Sequence, residues 1–205
     1  MAIGGDLSVG RLTLAYESGI FPWYDAGLPP LWWSPNPRAV LDPPSLHVSR
    51  SMRRVLARAD YELRYDTAFR SVIVECAAQR QEGTWILPEM VEAYVALFER
   101  GHAHSVEVWS EGQLVGGLYG VQRGGLFAAE SMFHRRTNAS KTALIAAVRS
   151  FFRAGIQLFD VQFMTEHLRS MGAYEIPRSR YLQALARAVP VAVDLRKLRL
   201  GAADG

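Results

Sequence analysis

Three short stretches carry side chains whose types and spacing could do chemistry. In Phe159-Asp160-Val161-Gln162-Phe163, strand alternation places Asp160 and Gln162 on one side, an anion beside a neutral hydrogen-bonding amide. In Glu130-Ser131-Met132-Phe133, a carboxylate follows the apolar run Leu126-Phe127-Ala128-Ala129. An unpaired carboxylate is costly to bury, so Glu130 either faces outward from its strand or has partners and a task. The third set is Trp32, Trp33 and Trp85. Aromatics at loop ends either stack on a nucleobase or staple a small domain to a larger one.

Other site types are set aside on spacing. His102 and His104 form an H-x-H pair without a third ligand at metal spacing, which favours a structural role. Cys76 lies within Val72-Ile73-Val74 and Ala77, so it reads as a buried thiol rather than a nucleophile. There is no G-x-S-x-G, no Walker loop and no G-x-G-x-x-G.

The elements that must position these residues are legible. Ser8 to Tyr16, closed by Gly19, reads as a short capped helix. Ile20 to Pro44 holds seven of the ten prolines and three of the five tryptophans, a rigid aromatic loop system rather than a helix or central strand. Ser49 to Arg58 reads as a basic helix, Tyr61 to Tyr65 as a strand, and Thr67 to Gln79 as a helix capped by Asp66 or Thr67. Glu89 to Arg100 is bracketed as a helix by Pro88 and Gly101. Ser105–Trp109, Gln113–Tyr119 and Leu126–Met132 follow as an antiparallel meander. Asn138 caps a helix to Ala154, Leu158 to Phe163 is a strand, and Thr165–Met171 and Pro177–Val189 are helices. Strand runs joined by hairpins and interrupted by helices make an α+β fold.

The 205 residues are 49% hydrophobic and 21% charged, which excludes disorder, coiled coil and collagen. No stretch approaches 18 uninterrupted apolar residues and no signal sequence opens the chain, so neither membrane insertion nor export is expected. A single cysteine points to a reduced, cytoplasmic setting. The net charge of +3 hides an asymmetry: residues 1–60 carry +1, residues 61–120 carry −5 and residues 121–205 carry +7. Arginine supplies 21 of the 23 cations. Its planar fork suits phosphate, and an arginine-rich proteome would produce the same skew.

Many ordered segments together resemble the leucyl/phenylalanyl-tRNA protein transferase family. They are Gly4-Gly5-Asp6-Leu7, Gly19-Ile20-Phe21-Pro22-Trp23, Leu31-Trp32-Trp33-Ser34-Pro35-Asn36-Pro37-Arg38, His47-Val48-Ser49-Arg50-Ser51, Glu82-Gly83-Thr84-Trp85-Ile86, Gly101-His102-Ala103-His104-Ser105-Val106-Glu107-Val108-Trp109, Glu130-Ser131-Met132-Phe133, Asn138-Ala139-Ser140-Lys141 and Glu175-Ile176-Pro177-Arg178. The match spans nearly the whole chain up to about Val189.

The resemblance implies a small N-terminal domain over 1–40 with a Pro/Trp-rich junction. It is followed over 41–205 by an acyltransferase-like catalytic domain of the N-acetyltransferase superfamily, with a mixed, mainly antiparallel sheet flanked by helices. It implies transfer of leucine or phenylalanine, and less readily methionine, from aminoacyl-tRNA to an N-terminal Lys or Arg. It further implies that the product is marked for degradation, that no cofactor and no metal take part, and that the enzyme is a monomer. The connection Phe133-His134-Arg135-Arg136-Thr137-Asn138 lacks the glycines of a pyrophosphate loop, which argues against coenzyme A. A non-catalytic RNA-binding module would account for the basic third and the tryptophans but not for Asp160 with Gln162.

By the same resemblance, Trp33 and Trp85 hold the terminal adenosine, and Leu118, Phe127, Ala129, Phe151 and Phe159 line the amino-acid pocket. Two positions depart from the family's pattern: Ala129 stands in place of glycine and Leu118 in place of methionine, which bears on the leucine-to-phenylalanine ratio. Glu130 and Asp160 match acidic functional positions suited to a cationic acceptor, and Asp160 and Gln162 are the catalytic pair. A neutral amide is too weak a base to take the amine's proton, so Gln162 is expected to orient the attacking amine while Asp160 fixes its rotamer. Arg50, Arg53, Arg54 and Arg58, then Arg135 and Arg136, are the candidate tRNA-phosphate contacts, each set reading equally well as a solvated face.

Overall fold

The structure, a computed structural model, describes residues 2–79, 84–198 and 200; Glu82 and Gly83 of the Glu82–Ile86 motif lie outside the described residues. The chain opens with β1 (Ala2–Ile3), α1 (Val9–Glu17), β2 (Phe21–Pro22) and β3 (Leu31–Trp33), the strands pairing antiparallel in the order β1-β3-β2. Leu12, Ala15 and Tyr16 form the buried stripe of α1. Gly19, at φ +74°, turns the chain out of α1, where a Cβ would meet Leu182 and Tyr181 at 2.9 Å.

The expectation of no central strand before Pro44 is corrected. Arg38–Leu41 is β4, an interior strand of the larger sheet, with all four residues buried. Pro37 and Pro43 flank this strand rather than interrupt it, so no ladder donor is lost.

α2 (Arg50–Arg58) follows, its N-terminus capped by the Ser49 hydroxyl, which accepts from the Met52 backbone N–H at 3.2 Å. It buries Met52 and Leu56 and leaves Arg50, Arg53, Arg54 and Arg58 exposed. Next come β5 (Glu62–Tyr65), α3 (Phe69–Ala78) and α4 (Pro88–Glu99). Neither Asp66 nor Thr67 caps α3, as the sequence suggested. The cap is long-range: Glu107 Oε1 accepts from the Thr67 and Ala68 backbone N–H groups at 2.8 Å each, while Asp66 pairs with His104 at 2.7 Å.

β6 (Ala103–Ser110), β7 (Gln113–Arg123) and β8 (Leu126–His134) form the expected antiparallel meander. α5 (Ala139–Arg153), β9 (Leu158–Gln162), α6 (Glu166–Ser170), β10 (Tyr174–Ile176) and α7 (Arg178–Ala188) complete the regular elements, with a 3-10 turn at Leu195–Lys197. The seven strands run in the order β10-β4-β9-β8-β7-β6-β5, all antiparallel except the β8–β9 pair. The fold is α+β with a mixed, mainly antiparallel sheet flanked by helices.

Strand alternation divides the core. Val106, Val108, Leu118, Phe127 and Phe159 pack with α5 and α2, whereas Ala103, Tyr119, Val121 and Ala128 pack with α1, α3 and α4. α7 joins Val40, Leu126 and Leu158 in a third cluster through Tyr181 and Leu185.

Candidate active site

The parallel register of β8 and β9 runs through Leu126↔Leu158, Phe127↔Phe159 and Ala128↔Asp160, and there the pairing ends. Each strand is irregular just beyond. On β8 the register steps from Ser131↔Tyr119 to Ala129↔Gly120, so Glu130 is the extra, bulged residue. On β9 it steps from Asp160↔Val40 to Gln162↔Ala39, making Val161 the extra residue, and Gln162 takes the left-handed φ of +64°. Two bulges on neighbouring strands open a cavity of about 290 Å³.

One wall of this cavity is Ala129, Glu130, Ser131 and Met132 of β8, and the facing wall is Val161, Gln162 and Phe163. Phe21, Pro22, Trp23 and Trp85 close one side; Thr165, His167 and Leu168 close another. The lining is mostly apolar with a few convergent polar groups, the character of a small-molecule site.

Glu130 is 7% exposed. Its Oε1 accepts from the Gln162 side-chain Nε2–H at 2.7 Å and its Oε2 from the Tyr94 hydroxyl at 3.2 Å; the Tyr94 and Tyr16 hydroxyls lie 2.6 Å apart. Burial pushes the Glu130 carboxyl up to about 8; the tyrosine hydroxyls and Arg38 oppose the rise and the Asp160 charge adds to it. Because the Gln162 amide directs its N–H at Glu130, its oxygen remains the acceptor end.

Asp160 is fully buried and does not border the cavity. Arg38 donates to it twice, Nε to Oδ1 at 2.9 Å and an NH2 proton to Oδ2 at 2.6 Å, and the Tyr181 hydroxyl adds a bond to Oδ2 at 2.8 Å. The Gln162 backbone N–H supplies a fourth, to Oδ1 at 2.9 Å. The expectation that Asp160 receives an acceptor's cation is therefore corrected, since its lone pairs are filled and its counterion is Arg38. Glu130, not Asp160, holds the Gln162 side-chain amide.

Of the five residues expected in the amino-acid pocket, only Ala129 borders the cavity. Leu118, Phe127, Phe151 and Phe159 are fully buried in the same cluster as Ala129. Phe127 packs on Phe151 and Phe159 with ring centroids 4.5 and 5.2 Å apart, filling the space behind Ala129.

The aromatic side also differs from expectation. Trp85 lines the cavity but Trp33 does not; the ring beside Trp85 is Trp23, 38% exposed, at 6.4 Å. Trp33 lies behind it, its indole N–H donating to the Trp23 carbonyl at 2.7 Å. Sequence order offers no means to rank Trp23 against Trp33. In the small sheet Trp33 is the cross-strand partner of Phe21, and Trp23 is the tryptophan of this segment that borders the cavity. His167, in the wall on α6, has no motif in the sequence to single it out; burial and the nearby Lys141 and His134 charges hold its imidazole below the ordinary histidine range.

Among the arginines, Arg135 pairs with Glu75 at 2.5 Å, and Arg136 bonds Glu111 at 3.0 Å and the Ser110 hydroxyl at 2.7 Å. Arg50, Arg54 and Arg58 make no ion pair among the described residues. No group of three His, Cys, Asp or Glu suited to a metal ion occurs among the described residues, and no helix there is long and apolar enough to cross a membrane.

Comparison with known proteins agrees with the sequence resemblance. The family model "Leucyl/phenylalanyl-tRNA protein transferase" matches residues 40–186, and the model of that family's N-terminal domain matches residues 5–36. A leucyl/phenylalanyl-tRNA protein transferase of Citrobacter koseri is 55% identical over 185 residues, which is 90% of this chain and 79% of that one. One from Escherichia coli is 56% identical with the same coverage. Among solved structures, a GCN5-related N-acetyltransferase from Kribbella flavida is 13% identical with a TM-score of 0.43, covering 82% of this chain and 60% of its own. The chain belongs to the leucyl/phenylalanyl-tRNA protein transferase family of aminoacyltransferases.

Proposed function

We propose that this protein moves leucine or phenylalanine, and less readily methionine, from aminoacyl-tRNA to the N-terminal Lys or Arg of a protein. The new N-terminal residue then marks that protein for degradation in the cytoplasm, and the enzyme acts as a monomer. The observation that best supports this reading is a buried carboxyl, Glu130, bonded to the Gln162 amide inside a mostly apolar cavity rimmed by tryptophans.

The donor arrives already activated as an ester on the terminal ribose. Orientation of an amine against that carbonyl therefore supplies much of the acceleration. The amine nitrogen adds to the ester carbon, and the tetrahedral intermediate collapses with loss of the ribose oxygen. The amine's proton ends on that oxygen and the amide bond is formed. The free oxygen of Gln162 accepts from the attacking amine and aims its lone pair. Glu130 is the carboxyl that borders the cavity and, in its ionised form, takes the acceptor's cationic side chain. Asp160 acts one step removed, by holding Gln162.

Trp23 and Trp85 stack on the terminal adenosine, with Trp33 bracing Trp23, a reading supported by the neighbouring Trp23 and Trp85 rings at the cavity. The apolar walls at Ala129, Met132, Val161, Phe163 and Leu168 take the transferred side chain. β-Branched side chains are refused there by shape, with discrimination of roughly 1–3 kcal/mol per methylene. Arg50, Arg54 and Arg58 of α2, which have no carboxylate partner among the described residues, track tRNA phosphates.

One assay tests the reading against its competitors: labelled Leu-tRNA or Phe-tRNA, acetyl-coenzyme A and an Arg-initiated peptide in a single mixture. Movement of leucine or phenylalanine to the peptide is the expected result. Acetyl transfer, or tRNA binding without transfer, would overturn it. For Gln162, single-turnover transfer at saturating donor and acceptor is expected to fall on the order of 10- to 100-fold in Gln162→Ala; a near-normal rate removes Gln162 from the mechanism.

A further inference from the structure

We propose that Arg38, acting with Tyr181, is a positioning residue for the transfer reaction that holds Gln162 in the conformation presenting its amide to the cavity. This rests on the role given to Gln162 above.

Arg38 is 1% exposed, and four hydrogen bonds leave its guanidinium. Two parallel bonds join it to Asp160, a third reaches the Gly19 carbonyl at 3.2 Å, and the cation lies between the rings of Phe21 and Tyr181 at 4.7 and 4.5 Å. A lysine cannot reproduce this fork, and well-packed apolar side chains would fill the same volume without the desolvation penalty of two buried charges. Filling the core is therefore a poor account of the pair.

What the pair does is visible at its far end. Asp160 Oδ1 takes the Gln162 backbone N–H at 2.9 Å, the bond that secures a left-handed φ of +64° at a residue with a long side chain. That conformation sends the amide to Glu130 at 2.7 Å rather than along the strand. Arg38 opens β4, whose next residue, Ala39, pairs with Gln162, so the same strand fixes the backbone from the other side.

The cation also reaches the apolar wall. Phe21, on which Arg38 stacks, lines the cavity and packs edge-on against Phe163 at 5.7 Å. One buried group thus sets the polar arm and one aromatic wall together. The Arg38 charge additionally pulls the Glu130 carboxyl down.

The test uses the full-length enzyme with Tyr181→Phe, Arg38→Lys and Gln162→Ala, each checked for folding by near-UV circular dichroism. Tyr181→Phe keeps the ring over Arg38 and removes the hydroxyl, with its bond to Asp160 at 2.8 Å and the longer one it accepts from Arg38 at 3.4 Å. It is expected to lower kcat by about 3- to 10-fold, and Arg38→Lys by about 10- to 100-fold, with KM for the aminoacyl-tRNA within about twofold of wild type. In Arg38→Lys the poorer pairing also moves the pH midpoint of transfer above the wild-type value. Normal kcat and normal pH midpoint in both folded variants, or a change confined to KM, would show a purely structural pair and overturn the proposal. If Arg38→Lys does not fold, Tyr181→Phe decides alone. A normal Gln162→Ala instead overturns the reading of Gln162, whereas an impaired Gln162→Ala beside normal Tyr181→Phe overturns only the positioning role.

Discussion

Glu130 shows how a single side chain can be read from sequence up to a point. A carboxylate after four apolar strand residues has to be either exposed or partnered, and it is 7% exposed with Tyr94 and Gln162 as partners. Its raised value of about 8 has a consequence for stability. A carboxyl whose folded value lies above its unfolded one stabilises the fold fully below the unfolded value, and that contribution is lost as pH rises toward the folded value. Wild-type stability is thus expected to fall between about pH 4.5 and 8 through this group. Glu130→Gln should remove that dependence, gaining on wild type at pH 8–9 in urea denaturation and losing the advantage below pH 5. The same group sets a binding prediction. A peptide bearing desamino-arginine, which keeps the cationic side chain and lacks the amine, should bind more tightly as pH rises through about 8, and Glu130→Gln should flatten the curve. A flat wild-type curve would remove Glu130 from acceptor binding. Trp23 marks the opposite case: its ring type is legible, but its place at the cavity, ahead of Trp33, is visible only in the folded chain.

Among the elements, α2 is the one whose sequence reading carries furthest. Its boundaries follow from the Ser49 cap, and its buried Met52 and Leu56 leave the arginines on the outer face. The two basic clusters indistinguishable in sequence part company here. Arg135 and Arg136 face Glu75 and Glu111, whereas Arg50, Arg54 and Arg58 have no carboxylate partner among the described residues. Replacing Arg50, Arg54 and Arg58 by Ala should raise KM for tRNA and reduce the slope of log binding against log salt by about 0.7–0.9 for each phosphate no longer neutralised. An unchanged slope would place the phosphates elsewhere. Local rules fail where a long-range partner displaces a local one: Asp66 and Thr67 look like caps for α3, but the carboxylate that reaches its N-terminus is Glu107 from β6. The bulges at Glu130 and Val161 are equally invisible, because alternation of apolar residues does not record one extra residue per strand.

For the whole molecule, residues 190–198, in the stretch that the family resemblance leaves unmatched, prove to be part of the fold. Gln122 Nε2 donates to the Val193 carbonyl at 2.8 Å, and Leu195 is fully buried in the α5 face of the core. Leu195→Ala should cost about 2–4 kcal/mol in denaturant unfolding, with single-turnover transfer per folded molecule unchanged. A loss below about 0.5 kcal/mol would deny the segment a place in the core. By itself the sequence determined the α+β class, the meander, most helices and the family. These depend on hydrophobic period, caps and turn residues, which are local properties, and on a long series of ordered motifs. Only the tertiary structure decided that Arg38–Leu41 is an interior strand, that Asp160 belongs to Arg38, that Glu130 holds Gln162, and that four of the five expected pocket residues are core. The physical reason is common to all four. Each depends on which groups from separate elements reach one another across a sheet whose strands are paired out of sequence order.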